Sequence, residues 1–259
     1  MSPADTTNPF SDGELGRLYD RGRPYLQARA VRRIAQTVVT TVRRALDVAS
    51  GTGLSSVALA HLADRVVGSE AASGMLAAAR RDPAVDYVLS PAERLPFPGS
   101  AFDAVTVASG VHWFDRERFF AEAHRVLTVD GWLAVYDHYF LGEMDDVPGF
   151  STWMEDSFSA RYPLPPRSET AVTTEAPPGF HRVGGDEYVD VVEMTHRGLV
   201  DYLLTQSNTT VPVASGRESR AAIRVWLSDE TDGFFEPDRS RRLRFWLAIV
   251  CFGASEPAS

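Results

Sequence analysis

A loop with two glycines joins an apolar segment to a helical segment near residue 50. In the stretch LDVASGTGLSS, Asp47 lies within the apolar segment, and Gly51 and Gly53 follow it. Glycine allows a tight turn and a close approach of the backbone to a ligand. A glycine pair alone is weak evidence, because such loops also serve turn geometry. The loop therefore indicates a nucleotide-like ligand only if its surroundings agree.

The next apolar segment ends in an acidic residue, Glu70. A carboxylate at the end of a second strand is where ribose hydroxyls are commonly bound, although a solvated surface glutamate is the alternative. Nicotinamide enzymes and methyl-transfer enzymes share these features. Ser56 stands where a dinucleotide site has its third small residue, and Asp47 would oppose a pyrophosphate. Asp47 suits the ammonium and sulfonium groups of S-adenosylmethionine better.

Two further segments carry side chains that could act on a second substrate. In VHWFD, His112 is the candidate general base, because the ordinary pKa of histidine lies near neutral pH, and Trp113 is a candidate substrate contact. In YDHYF, His138 and Tyr139 are candidate substrate contacts at a strand end. Packing roles explain all four residues as well. No histidine spacing typical of a metal site occurs, so we expect no metal.

Composition limits the class of protein and its partners. The chain has 259 residues, a formal net charge of -9 and one cysteine, Cys251. The negative charge disfavours nucleic acid as a partner, and a lone cysteine excludes an internal disulfide. No apolar run is long enough to span a bilayer and no export signal is visible, so we expect a cytoplasmic location without membrane contact. The oligomeric state stays open between monomer and homodimer.

Short apolar segments alternate with helical ones from residue 45 to residue 138. They predict a doubly wound, mostly parallel α/β sheet, and two later segments bring the strands to seven. We expect a single domain: an N-terminal helical arm or lid over 1–44, a cofactor-binding core over 45–140, and an acceptor-side region with an insertion over 141–259. Asp115 is predicted to cap the helix RERFFAEAHRVL. GGDEY is predicted to be a turn that leads into a strand, EYVDVVEM, and the glycosylation-like NTT at Asn208 is given no role.

The order of motifs identifies a family. LDVASGTG, VVGSEAASGML, SPAERLPFPGSAFDAVTVAS and HRVLTVDGWLAVYD resemble successive motifs of class I S-adenosylmethionine-dependent methyltransferases, in the type 11 branch that acts on small molecules. The His-Trp-Phe in VHWFD is similar to the trans-aconitate methyltransferase-like members. The resemblance implies a Rossmann-like methyltransferase fold, with S-adenosylmethionine as cofactor and S-adenosylhomocysteine as product.

The resemblance also implies a set of cofactor contacts. The first motif would line the methionine part, the acidic strand end would hold the ribose diol, and later motifs would border the adenine. Two departures are Ala49 in place of the first glycine, where a methyl group is tolerated if φ is negative, and Pro91 in place of an acidic residue. The implied contacts are Tyr19, Arg23, Asp47, Ala49, Gly51, Gly53, Glu70, Ala71, Met75, Ala92, Glu93 and Ser109, the last through its backbone carbonyl.

The predicted activity is methyl transfer to a small organic acceptor, at a hydroxyl or carboxyl oxygen, by in-line displacement. A base would help a hydroxyl acceptor but is not needed for a carboxylate, in which case His112 would orient the substrate. A binding protein with the same fold but no transfer is the first alternative, and a nicotinamide-dependent oxidoreductase is the second.

Overall fold

The computed structural model describes residues 12–38, 40–165 and 175–255. Its seven strands form one sheet in the order β3-β2-β1-β4-β5-β7-β6. Strands β1 to β5 pair in parallel, whereas β7 runs antiparallel to both β5 and β6. The strands are β1 Val42–Val48, β2 Ala63–Glu70, β3 Val85–Leu89, β4 Phe102–Ala108, β5 Leu127–Met144, β6 Phe180–Met194 and β7 Arg241–Ala254.

Helices cover both faces of this sheet and extend beyond its carboxyl-terminal edge. A π-helical segment, Met154–Ser159, continues α6. The helices are α1 Gly13–Gly22, α2 Gln27–Thr37, α3 Leu54–Leu59, α4 Ser73–Ala77, α5 Arg116–Val126, α6 Phe150–Trp153, α7 His196–Leu203, α8 Ser207–Ala214 and α9 Arg220–Thr231. The predicted seven-stranded, mostly parallel α/β fold is confirmed.

Three apolar clusters hold the layers together. One lies between α5 and the sheet, and includes Phe102, Phe119 and Phe252. A second lies on the opposite face, where Ile34 of α2 packs near Trp132. Both faces of the parallel strands are thus covered, as the largely apolar strand sequences require. The third cluster joins α6, α7 and α9 to the outer part of the sheet, and it also includes Leu18 and Leu26 of the arm.

Local signals explain several element boundaries. The Asp115 carboxylate accepts a hydrogen bond from the Arg118 N–H and caps α5, as expected. The arm forms two helices, α1 and α2, which are separated at Pro24. The turn predicted at the start of GGDEY is wrong, because Gly184 and Gly185 lie inside β6, beside a register shift that follows Arg182, whereas the strand predicted after it is present. Pairing with β7 overrides the local turn signal.

The domain boundaries that the sequence suggested do not coincide with element ends. Strand β1 begins at Val42, inside the predicted arm, and β5 continues past residue 140 to Met144.

Cys251 is buried in β7, and burial raises the pKa of its thiol to about 12. Within the described residues, no helix is long and apolar enough to cross a membrane.

Candidate functional site

The loop between β1 and α3 lies where the strand order reverses, at the carboxyl ends of β1 and β4. A crevice at this position is the usual ligand site of an open parallel sheet. Three loop residues have left-handed backbones, with φ of 56° at Ala49, 56° at Gly51 and 80° at Gly53. Ala49 therefore does not have the negative φ at which a methyl group would be tolerated without strain. A non-glycine residue in this conformation costs about 1 kcal/mol, so the surrounding structure must hold it in place.

Gly110 makes room for the Ala49 side chain. A methyl group at residue 110 would lie 2.8 Å from the Cβ of Ala49 and 3.3 Å from Val107 Cγ1. Ala49 and Gly110 come from the ends of neighbouring strands, β1 and β4. The lack of a side chain at Gly110 therefore leaves room for the methyl group of Ala49.

We expect Gly110→Ala to lower the free energy of unfolding by about 1–3 kcal/mol, because the added methyl overpacks against Ala49. In an Ala49→Gly background the same change should cost about 1 kcal/mol or less. Urea unfolding of the two single variants and the double variant measures the coupling. Additive costs would contradict the contact between the two positions.

Two predicted ligand contacts lie behind the loop instead of in the crevice. Gly53 faces Tyr87, whose hydroxyl would be 2.1 Å from a methyl group at residue 53. Asp47 is 0 % exposed and its carboxylate accepts hydrogen bonds from the hydroxyls of Ser55, Ser56 and Thr106. Burial raises the pKa of Asp47 to about 6, against the opposing effect of these hydroxyls. Asp47 can therefore influence a ligand only through its charge and by holding the loop.

Glu70, at the end of β2, faces the crevice in a fixed orientation. One carboxylate oxygen accepts a hydrogen bond from the Gly51 N–H at 2.9 Å, and the other accepts one from the Ala72 N–H at 2.8 Å. A carboxylate oxygen has two lone pairs, so each retains capacity to accept from a ligand. Glu70 therefore links the glycine loop to the start of α4 and presents acceptors to the crevice.

The crevice, which we call the cofactor cleft, has a volume of about 330 Å³. Predicted contacts line most of it, whereas Arg23, Asp47 and Gly53 are not among its lining residues. Glu93 lies at its rim and has one oxygen engaged by the Asp115 N–H at 3.0 Å. The lining residues are Tyr19, Ala49, Gly51, Glu70, Ala71, Met75, Ser90, Pro91, Ala92, Glu93, Ala108, Ser109, Gly110, Trp113 and Phe114.

A second cavity, which we call the acceptor cavity, adjoins the cofactor cleft and has a volume of about 450 Å³. The two share Tyr19, Ser109 and Trp113. Its walls come from the arm, the residues that follow β4, the interior of β5, the segment around α6, and the junction between α7 and α8. Its other lining residues are Arg23, His112, Asp137, His138, Tyr139, Phe140, Met154, Phe158, Ser159, Leu164, Tyr202, Leu203, Thr205, Gln206, Ser207 and Asn208.

All the predicted catalytic and substrate residues line the acceptor cavity. His112 lies in a 3₁₀ turn, Val111–Trp113, with its ring 5.1 Å from that of Trp113. Trp113 is 52 % exposed, and Tyr139 is 50 % exposed with its ring 4.8 Å from that of Trp246. These exposed aromatic rings are available to cover an apolar ligand.

His138 is the buried member of this set, with 6 % exposure. Its Nδ1 lies 3.3 Å from the Ser109 hydroxyl, and its Nε2 has no hydrogen-bond partner among the described residues. Burial lowers the pKa of His138 to about 4, with Arg23 acting in the same direction and Asp137 opposing. The imidazole is therefore neutral near pH 7, and it is positioned by a serine that belongs to both cavities.

Arg23, the positively charged ligand contact predicted in the arm, lines the acceptor cavity. Its guanidinium lies 4.5 Å from the Tyr19 ring and 5.2 Å from the Tyr202 ring, and it donates a hydrogen bond to the Thr205 carbonyl. Within the described residues it forms no ion pair, and its Nε lacks a partner. The arm itself is fixed by the ion pair of Asp20 with Arg80 at 2.6 Å. Arg23 is thus a cation available to an anionic ligand.

The described part of the chain contains no group of three or more histidine, cysteine, aspartate or glutamate side chains able to hold a metal ion. Sequence reasoning did not identify the residues Thr205–Asn208 of the acceptor cavity. Helix α8, to which Ser207 and Asn208 belong, was also not predicted. In this segment the sequence showed only the glycosylation-like NTT pattern at Asn208, and that pattern does not indicate a cavity.

Comparisons with known proteins agree with this architecture. Residues 46–135 match the family model described as a methyltransferase domain. A structure described as a type II methyltransferase from Anaeromyxobacter dehalogenans superposes with a TM-score of 0.68 at 24% identity, covering 86% of this chain and 94% of that one. The fold is that of the Rossmann-like methyltransferases.

Curated relatives match only part of this methyltransferase-fold chain. A protein named as a methyltransferase from Dictyostelium discoideum is 30% identical over 139 residues, 53% of each chain. A demethylmenaquinone methyltransferase from Thermus thermophilus is 42% identical over 103 residues, 37% of this chain and 47% of that one. The chain spans about half the length of these relatives. The matched family region covers the glycine loop, Glu70 and VHWFD, but not the segments after residue 140.

Proposed function

We propose that the protein binds S-adenosylmethionine in the cofactor cleft and transfers its methyl group to a small organic acceptor in the acceptor cavity. The observation that carries this proposal is the adjacency of the two cavities, which meet at Tyr19, Ser109 and Trp113. Transfer by direct displacement requires that donor and acceptor be held in line and in contact. The methyltransferase domain match over residues 46–135 supports the same activity.

The described residues fit this cofactor. Glu70, held by two backbone N–H groups, offers lone pairs for the ribose hydroxyls. The other carboxylates nearby, Asp47 behind the loop and Glu93 at the rim, favour a ligand with positive charge and oppose a pyrophosphate. This charge pattern argues against the nicotinamide-dependent alternative. Met75 and Ala92 provide apolar surface for an adenine ring. When bound, the cofactor supplies an electrophilic methyl carbon on a positively charged sulfur.

The residues of the acceptor cavity would bind and orient the nucleophile, an oxygen of a hydroxyl or carboxyl group. His112 is the proposed base for a hydroxyl, and it orients the substrate if the nucleophile is a carboxylate. His138, which Ser109 holds beside the shared boundary, is a proposed substrate contact. Arg23 would pair with a carboxylate of either ligand. Trp113 and Tyr139 would cover an apolar part of the acceptor.

We further infer membership in the small-molecule branch that resembles trans-aconitate methyltransferases. VHWFD supports this assignment, since His112 and Trp113 both line the acceptor cavity. The net charge of -9 supports a small-molecule partner in preference to nucleic acid. A cytoplasmic location is part of the same proposal.

Two measurements test the proposal in sequence. Titration calorimetry with S-adenosylmethionine and S-adenosylhomocysteine should give saturable binding with micromolar dissociation constants or tighter. Incubation with methyl-labelled S-adenosylmethionine and a panel of phenols, alcohols and carboxylic acids should then transfer label to at least one compound. Absence of binding at millimolar ligand would overturn the proposal. Binding without transfer to any acceptor would instead favour a cofactor-binding protein without activity.

A further inference from the structure

A third cavity, lined mainly by arginines, lies between α1, α7 and α9. It has a volume of about 500 Å³ and shares no lining residue with the cofactor cleft or the acceptor cavity. Four of its lining residues are arginines and one is a glutamate, although the formal net charge of the chain is -9. The lining residues are Glu14, Leu18, Arg21, Arg197, Arg220, Ala221 and Arg224.

Three of these arginines, which we call the arginine cluster, converge on one carboxylate, that of Asp201 in α7. Nη2 of Arg224 lies 2.6 Å from this carboxylate, Nε of Arg21 lies 3.5 Å from it, and Nε of Arg197 lies 3.9 Å from it. Among the described residues, no other acidic side chain forms an ion pair with the cluster. Since one carboxylate faces three guanidiniums, two positive charges are left unbalanced.

Arg220, the fourth arginine of the cavity, is balanced by partners of its own. Its guanidinium lies 2.9 Å from the carboxylate of Asp12 and 2.9 Å from that of Glu14, and its side chain is 13 % exposed. The side chains of the arginine cluster are more accessible, with exposed fractions of 54 %, 84 % and 34 % in chain order, whereas Asp201 is 8 % exposed. The unbalanced charge is therefore carried by side chains that a ligand can reach.

The backbone packing fixes the position of the cluster without a ligand. Gly22, which follows Arg21, lies against α7, because a methyl group at residue 22 would be 2.8 Å from the carbonyl oxygen of Asp201. The third apolar cluster contains buried side chains of α1, α7 and α9, so it holds together the three helices that carry the arginines. A ligand would therefore not have to assemble the site.

A phosphate group matches both the charge and the hydrogen-bond donors of the arginine cluster. Each guanidinium has five N–H donors in one plane, and the two oxygens of Asp201 cannot satisfy the donors of three guanidiniums. The planar fork of arginine pairs with phosphate oxygens in a bidentate manner, and such charge-assisted hydrogen bonds are stronger than neutral ones. A phosphate monoester carries a charge of about -1.5 to -2 at neutral pH, which offsets the two unbalanced charges.

We propose that the arginine cluster binds the phosphate or diphosphate group of a small molecule between α1, α7 and α9. The inference goes beyond the proposed methyl transfer and does not depend on it, because the cavity is separate from both cavities of that proposal.

Calorimetric titration of the full chain with three probes tests the proposal. The probes are inorganic phosphate, methyl phosphate and inorganic pyrophosphate, of which the first two distinguish free phosphate from an esterified ligand. At low ionic strength, at least one probe should bind with a dissociation constant of about 1 mM or tighter. Added sodium chloride should weaken this binding, because salt screens accessible charges. Absence of saturable binding for all three probes at about 10 mM would overturn the proposal.

Substitution assigns the binding to the cluster. The double variant Arg21→Gln with Arg197→Gln removes the two unbalanced charges and retains the ion pair of Arg224 with Asp201. The affinity for the probe that binds the wild type should fall by about tenfold or more. Wild-type affinity in this variant would overturn the assignment. Thermal melting checks that the variant is folded. If it is not, Arg197→Gln alone, which changes a side chain that is 84 % exposed, should still weaken binding by about threefold or more.

The matched control removes the same net charge elsewhere. Arg239→Gln with Arg242→Gln changes two exposed arginines that do not line the cavity. Its affinity for the probe should stay within about twofold of the wild type, because salt screens distant charges. An equal loss in both double variants would indicate attraction by the net charge alone and would overturn the assignment.

Calorimetry with S-adenosylhomocysteine separates this inference from the proposed function. A protein that binds a phosphate probe but not S-adenosylhomocysteine would remove the methyltransferase proposal and leave the anion site. Binding of S-adenosylhomocysteine without binding of any phosphate probe would remove the inference alone.

Discussion

Replacing Glu70 with alanine should weaken the binding of S-adenosylhomocysteine by about 100-fold or more. Hydrogen bonds to a charged group contribute about 1.5–3 kcal/mol each, and the carboxylate offers acceptors for two ribose hydroxyls. The substitution also removes the acceptors of the Gly51 and Ala72 N–H groups, so the glycine loop loses its link to α4. Isothermal titration calorimetry of the variant against the wild type measures the change.

The control for this prediction is Glu117→Ala, which removes an exposed glutamate from α5. Its affinity for the ligand should equal that of the wild type. Glu70→Gln should behave nearly as Glu70→Ala, because an amide has one acceptor oxygen and would bring its NH₂ group against a backbone N–H. Wild-type affinity in Glu70→Ala would remove the account of the ribose contact.

Asp47→Asn should stabilise the unliganded protein at neutral pH by about 3 kcal/mol. The folded carboxyl has a pKa of about 6, against an ordinary value of 3.8. The folded state therefore binds the extra proton between these values, so its stability falls as pH rises from about 4 to 6 and stays low above. An amide of the same shape carries no charge to desolvate. The gain should be near zero at pH 4 and reach its full size above pH 6.

Denaturant unfolding between pH 4 and pH 8 measures this difference. Asp86→Asn, which changes an exposed aspartate of β3, should leave the stability within about 0.5 kcal/mol at every pH. A constant difference between Asp47→Asn and the wild type would contradict the titration of Asp47. Binding of S-adenosylmethionine should weaken in Asp47→Asn, because a charge favourable to the sulfonium is lost.

His138 affects the same pH window in the opposite direction. Its folded pKa of about 4 lies below the ordinary 6.5, so its contribution to stability is present above pH 6.5 and is lost as the pH falls toward 4. The two shifts therefore act in opposite directions on the pH dependence of the wild type. Asp47→Asn should show a steeper rise in stability from pH 4 to pH 6.5 than the wild type does.

The sequence was sufficient for the parallel part of the sheet and for most of the cofactor cleft. Glu70, Met75 and Ser109 follow apolar strands whose carboxyl ends must meet at one edge, so their positions could be read from local patterns. The positive φ of Ala49 could not be read from the sequence, because the space for its side chain is provided by Gly110, which is distant in the chain.

The acceptor cavity could be predicted only in part. His112 follows β4, and His138 and Tyr139, expected at a strand end, lie within β5; all three were found, whereas Asn208 was not. Helix α8 is short, contains Pro212 and begins with polar residues, so its sequence gives no helical period. Its place beside the cavity results from packing of segments far apart in the chain. Asp47 and Gly53 were predicted as ligand contacts from the glycine-loop motif. Their position behind the loop depends on tertiary contacts with Thr106 and Tyr87, which the motif does not show.

The two cavities draw on different stretches of polypeptide and meet at only a few residues. Apart from Tyr19, the cofactor cleft is built from residues 49–114, while the acceptor cavity also takes walls from 137–164 and 202–208. Those walls can diverge, or be transplanted from a homologue, without altering the residues proposed to bind S-adenosylmethionine. Evolution can therefore exchange one substrate for another here, and a mutant library limited to the two later stretches should recover new specificities at undiminished donor affinity.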